Sequence, residues 1–204
     1  MTGRFVTIEG PNGVGKTTVA ARLAARLTER GEAVYLTAEP SGTALGQLVR
    51  AAEENLSGRA LALAVAADRY AHVEQEVSPA LDAGQDVISD RYVPSSLVLQ
   101  RLDGLKLPEI WSYNAHVIVP ALSVYLGDDP AVISGRLGAR PELSRLESLG
   151  SPVRELALYD DAFRFLARRS WPQVKIDCRG LNPGGVAAEI LGLLDQLPGR
   201  SGRA

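Results

Sequence analysis

Short apolar, β-branched runs alternate along this chain with longer segments whose apolar residues recur every three or four positions. Residues 5–8, Phe-Val-Thr-Ile, form the first run and Gly10 ends it. That pattern predicts a buried strand. From 17 to 30, Val19, Leu23, Ala24 and Leu27 fall on one helical face, and Gly31 stops the segment. Further strands are predicted over 33–37, 86–89, 122–126 and 174–176. Further helices are predicted over 45–52, 58–81, 94–102, 107–115, 130–137, 153–169 and 185–197. The long helix reads as ended near Pro79 and Gly84, and residues 136–150, rich in arginine with Gly and Pro breaks, read as a loop or lid. Strands alternating with helices predict an α/β fold, one domain over 1–204, in which a five-stranded parallel sheet with right-handed crossovers is flanked by helices. The tail after Pro198 reads as frayed.

Composition narrows the partners. The chain has 204 residues, 46% of them hydrophobic, enough for one well-packed domain. Net charge is −2 with 23% charged residues, so no chain-wide field for nucleic acid or a membrane surface is expected, although local arginines still suit an anionic substrate. A single cysteine, Cys178, excludes a disulfide framework, argues against a zinc cluster and fits a reducing cytoplasm. Residues 1–5 lead directly into a strand pattern, with no secretory apolar core and no run of membrane-spanning length, so a cytoplasmic location is expected. His72 and His116 lack metal-ligand neighbours in sequence, and Trp111 and Trp171 read as packing residues.

Candidate chemistry starts at Gly10-Pro11-Asn12-Gly13-Val14-Gly15-Lys16-Thr17, a complete G-x-x-x-x-G-K-[ST] loop set between a strand and a helix. Gly10, Gly13 and Gly15 let the backbone turn its N–H groups, including those of Asn12, Val14 and Thr18, toward a phosphate, and the helix N-terminus adds its positive dipole end. Lys16 brings a charge to the β- and γ-phosphates of ATP, and the Thr17 hydroxyl suits Mg²⁺. Asp90, closing the third strand, is the second metal-side candidate; a helix N-cap is its other reading.

With Asp90-Arg91-Tyr92 the chain resembles the thymidylate kinases, in the P-loop nucleoside monophosphate kinase class. The resemblance is carried by Phe5 through Thr18, Glu39-Pro40, Ala66-Ala67-Asp68-Arg69, Asp90-Arg91-Tyr92 with Ser95-Ser96, and Arg145-Leu146-Glu147, in the family's order and spacing. It implies a P-loop NTPase fold and transfer of the γ-phosphoryl group of ATP to the 5′-phosphate of dTMP, with Mg²⁺. Transfer of this kind rests on positioning and charge neutralisation. The resemblance further implies that Arg91 holds the acceptor phosphate, that Arg69, Ser95 and Ser96 lie near the acceptor base, and that Glu39 stands beside metal and acceptor. It implies that lid arginines Arg136, Arg140 and Arg145 neutralise developing charge, and that the chain forms a homodimer.

Four positions depart from the family, all on the acceptor side. Asn12 stands where an acid is usual, Ala38 where an arginine is usual, and Val65 and Leu99 where aromatics are usual. The departures allow two readings. Neighbours such as Tyr70 or Tyr92 compensate, or the acceptor is a modified nucleotide or another phosphorylated compound of a specialised pathway. A third reading, a nucleotide-binding regulator without kinase activity, is opposed by the intact Lys16, Thr17, Asp90 and Arg91.

Overall fold

A computed structural model describes residues 3–197, so the tail after Pro198 lies outside the described residues. In chain order the elements are β1 Phe5–Glu9, α1 Lys16–Glu29, β2 Val34–Ala38, α2 Ala44–Ala52 and α3 Gly58–His72, then a π-helical turn Val73–Val77, α4 Ser78–Asp82 and β3 Asp86–Asp90. They continue with α5 Val93–Leu102, α6 Leu107–Asn114, β4 Leu122–Gly127, α7 Pro130–Gly138, α8 Arg145–Leu149, α9 Pro152–Ala167, β5 Gln173–Asp177 and α10 Pro183–Gln196. The strands form one parallel sheet in the order β2-β3-β1-β4-β5. This is the expected α/β architecture, with all five expected strands.

Both sheet faces are covered, which is why the strands read as near-continuous apolar runs. Side chains alternate across the pleat. Val6, Ile8, Ile88, Val124 and Leu126 join α1 and α10 through Val19, Leu23, Ile190 and Leu194. Phe5, Val87 and Tyr125 join α5 and α9 through Leu97, Val98, Ala162 and Leu166. Each large aliphatic buried this way contributes about 1.5–3 kcal/mol. β1, between β3 and β4, carries the glycine loop out at the middle of the sheet's carboxyl edge, where open α/β sheets place their ligands.

Two expectations are refined. The helix predicted over 58–81 ends within a residue of the expected place, at Asp82 between Pro79 and Gly84, but it is not α-helical throughout: it widens into the π-helical turn and runs on as α4. Pro79 has no N–H and its ring crowds the carbonyl four residues back. The ladder widens just before it, with Ser78 N–H donating to Val73 O. Residues 136–150 are not wholly loop either. Ser144 and Glu147 form a capping box that nucleates the one-turn helix α8. Leu146 of α8 packs with Val49 of α2 and Leu61 of α3. Among the described residues no helix is long and apolar enough to cross a membrane.

Candidate active site

The loop after β1 is shaped by contacts only glycine permits. Gly10 holds φ at 137° and Gly13 at 80°. A Cβ at Gly10 would stand 2.6 Å from Leu126 O, and one at Gly13 would stand 2.8 Å from Leu137 Cγ. The loop therefore lies tight against β4 and α7 and opens α1, whose first turn has neither a side-chain cap nor an acid. Its N–H groups suit an anion. Lys16 is buried, and its Nζ donates to Pro11 O at 2.9 Å. Burial, with Arg91 next in weight, pushes its ammonium down to about 7. Phosphate oxygens are the counter-charge that restores it. The pocket in front, about 330 Å³, is lined by Asn12, Gly13, Gly15, Lys16, Thr17, Thr18, Asp90, Arg91, Arg136, Arg140 and Glu147.

Thr17 Oγ1 donates to Asp90 Oδ2 at 2.5 Å, while Asp90 Oδ1 is buried without a hydrogen-bond partner. Asp90 caps no helix, because α5 starts at Val93 with Tyr92 as its N-cap. A hydroxyl beside a carboxylate with an unmatched oxygen fits Mg²⁺, which takes few protein oxygens and completes its shell with phosphate and water. Among the described residues no group of three or more His, Cys, Asp or Glu side chains could hold a metal ion by itself, so a metal at Thr17 and Asp90 would depend on those further oxygens.

A second group of residues is built around Arg91. Its φ of 79° is left-handed, a conformation costing about 1–3 kcal/mol outside glycine. Its N–H donates to Ile8 O at 3.0 Å and its carbonyl accepts from Ser89 Oγ at 2.7 Å, which hold that conformation. The guanidinium reaches Asn12 Oδ1 at 2.5 Å and Ser95 Oγ at 3.2 Å. Ser95 Oγ in turn donates to Glu9, whose carboxyl burial pushes up to about 7. Behind Arg91 lies a cavity of about 220 Å³. Its polar wall includes Asn12, Glu39, Arg69, Ser95, Ser96 and Gln100, and its apolar wall Val49, Leu61, Val65, Leu99 and Leu146. Arg69 is fully buried, donating to Glu39 at 2.7 Å, Ser96 at 2.9 Å and Asn114.

The structure brings together the loop residues, Thr17 with Asp90, Arg91 with Asn12, and Arg69 with Ser96 and Glu39. Glu39 turns toward Arg69 and His72 in the cavity behind Arg91, with no carboxylate oxygen bonded to Thr17 or Asp90. Arg136 and Arg140 line the loop pocket, paired with Asp128 at 3.0 Å and with Glu147. Arg145 lines neither. It grips Asp103 with both ends of its fork and donates to Glu53 O at 2.8 Å and Leu56 O at 3.1 Å, fastening α8 to α2 and the α5–α6 turn. Of the two aromatics named in the compensation reading, Tyr92 borders the cavity behind Arg91 and Tyr70 is not among its lining residues. Arg50, unmarked in the sequence, lines both this cavity and the cleft holding Ala38, Thr17 and Asp90, and supplies a cation near the position where Ala38 has none. Gln100 is 3% exposed and its Oε1 lacks a partner beside the cavity. A glutamine inside a helical pattern carries no signal that would mark it in advance.

Comparison with known proteins agrees with this geometry. The model of the family described as "Thymidylate kinase" matches residues 8–156. The chain is 37% identical over 183 residues to a thymidylate kinase of Geobacillus thermodenitrificans (strain NG80-2), covering 83% of this chain and 79% of that one. It is 34% identical over 215 residues to one from Geobacillus sp. (strain WCH70), covering 98% and 100%. A thymidylate kinase of Deinococcus radiodurans is 43% identical over 155 residues, covering 71% and 74%. A P-loop fold, a two-sided site centred on Arg91 and likeness over most of the length coincide in one conclusion: the chain belongs to the thymidylate kinase family.

Proposed function

We propose that this chain transfers the γ-phosphoryl group of ATP to the 5′-phosphate of dTMP. The observation that carries the reading is the shared wall: Asn12, Arg91 and Glu147 line both the loop pocket and the acceptor cavity. A donor phosphate on the loop and an acceptor phosphate on Arg91 therefore face one another across a single boundary, which is the positioning in-line transfer needs. Lys16 and the loop N–H groups stabilise charge on the transferring group, and the Arg91 fork binds the acceptor phosphate. Arg136 and Arg140 add positive charge from the lid side. Thr17 and Asp90 would hold Mg²⁺, with Glu39 one residue past β2 toward the acceptor; the metal would neutralise the β- and γ-oxygens.

Gln100 Oε1 and the Arg69–Ser96 pair support a base presenting an N–H donor beside a carbonyl acceptor, as thymine does. The aliphatic wall of Val65 and Leu99 supports a flat apolar ring face, with burial taking the place of stacking. With ATP, dTMP turns over and dCMP, whose N3 carries no hydrogen, is at least ~10²-fold worse in kcat/KM, since a site built for a hydrogen bond rejects a partner that cannot make it. Equal dCMP turnover would overturn the base assignment. Tight ATP binding with no monophosphate consumed would return the protein to the regulator reading. Asp90→Asn keeps the shape but removes a charge, and its activity should need roughly tenfold more Mg²⁺ for half-maximal rate; an unmoved Mg²⁺ titration removes Asp90 from the metal set. The proposal includes a homodimer, as the resemblance implies, and a cytoplasmic location, as the single cysteine suggests. Cys178, a buried thiol pushed up to about 11 by burial, suits a reducing compartment.

A further inference from the structure

Behind the acceptor clamp lies a buried carboxylate that none of the roles above uses. Glu155, in the first turn of α9, is 1% exposed. Its Oε2 accepts the Asn12 backbone N–H at 2.8 Å, and its Oε1 accepts Asn12 Nδ2 at 3.3 Å. These bonds decide which way the Asn12 amide points. With Nδ2 held by Glu155, Oδ1 faces Arg91 and takes its guanidinium at 2.5 Å. A carboxylate, an amide and a guanidinium thus stand in series, and in a low-dielectric setting each hydrogen bond polarises the next. On its other side the carboxylate meets the lid. A Cβ on Gly150 would lie 2.4 Å from Glu155 Oε1, so the backbone at the end of α8 rests against this group.

We propose that Glu155 is a positioning residue for the acceptor phosphate. Acting through Asn12 it orients the Arg91 fork, and Gly150 ties that orientation to the lid segment. The negative charge that position 12 itself lacks reaches the clamp from α9. This rests on the phosphoryl-transfer reading above.

Glu155→Gln keeps the shape but offers one acceptor to two Asn12 donors. It should raise the dTMP KM, and the dTMP Kd measured by calorimetry, by about tenfold with the ATP KM within about twofold, as loss of a charged hydrogen bond requires. Gly150→Ala keeps every charge and, at φ −85°, costs the backbone little. It should displace the carboxylate and give the same split. The Arg91 Nε–H resonance of ¹⁵N-labelled protein, assigned with Arg91→Lys, should move in both variants and reads the clamp with no substrate present. Asn12→Asp with Glu155→Gln moves the carboxylate to the near side of the same contact, where the glutamine amide can donate to it. It should bring the dTMP KM back to within about threefold of the parent, because the two sites are coupled.

An unmoved dTMP KM and Arg91 resonance in Glu155→Gln overturns the proposal, and so does a charge-swapped double variant no better than the single. Both KM values rising together with a fall in Tm would mark a merely structural residue and overturn it too. Should Glu155→Gln not fold, Gly150→Ala carries the test alone, and an unchanged dTMP KM there is decisive against it. A parent protein that leaves dTMP unphosphorylated while the Arg91 resonance still moves in the variants overturns the functional reading and supports the clamp.

Discussion

Lys16→Met lowers turnover by at least about 10²–10³-fold and leaves the fold intact, since removing one group that stabilises developing charge in a dry site costs that much. The two halves of the expectation have separate origins. Turnover falls because Lys16 is the cation buried at the floor of the loop pocket. Arg136 and Arg140 are each already paired, with Asp128 and with Glu147. The fold holds because the ammonium makes one hydrogen bond, to Pro11 O, and its burial disfavours the charged form. Methionine keeps the apolar stem and removes the burden. Steady-state kinetics with ATP and dTMP, alongside a thermal melt, checks both. Turnover within tenfold of the parent would sink the assigned role, and a large drop in Tm would sink the claim that Lys16 is there for chemistry.

Arg69→Met destabilises the protein by about 3–5 kcal/mol, the cost of leaving one partner of a buried ion pair uncompensated. At roughly 2–4 °C per kcal/mol for a chain of this size, Tm falls by about 6–20 °C. Arg69 is 1% exposed, and its guanidinium bridges Glu39, Ser96 and Asn114 and lies 5.3 Å from the Tyr92 ring centroid. Its removal leaves the Glu39 carboxylate with His72 at 3.4 Å. Adding Glu39→Gln to Arg69→Met should recover much of the lost stability, because the stranded charge is gone. The dTMP KM should stay high, because the donor beside Ser96 is still missing. Recovery of both together would mean that Arg69 only supports the wall; recovery of neither would contradict the ion-pair account.

Legibility in the sequence tracked how local each feature is. β1, the glycine loop and α1 were readable because a contiguous stretch sets their backbone, with Gly10 and Gly13 demanded by close approach and positive φ. The helix over 58–81 was readable in kind but not in detail, since its response to Pro79 is set by the ladder around it. Arg145 was readable as a lid cation but not as a fastener, because Asp103, its partner, lies 42 residues away. The departures at Ala38 and Asn12 looked like losses of charge when read in line. In three dimensions Arg50 and Glu155 stand close to them.

The sequence by itself determined the parallel α/β sheet and the phosphate loop with Lys16 and Thr17, since hydrophobic period, turn chemistry and motif spacing act over a few residues; Asp90 and Arg91, more than 70 residues on, were joined to that loop only through the family resemblance. Only the tertiary structure decided which charges meet. Glu155 reaches Asn12 across 143 residues, and Arg69 reaches Glu39 across 30. Such pairings follow from how helices land on the two faces of the sheet, and no short stretch of chain encodes that.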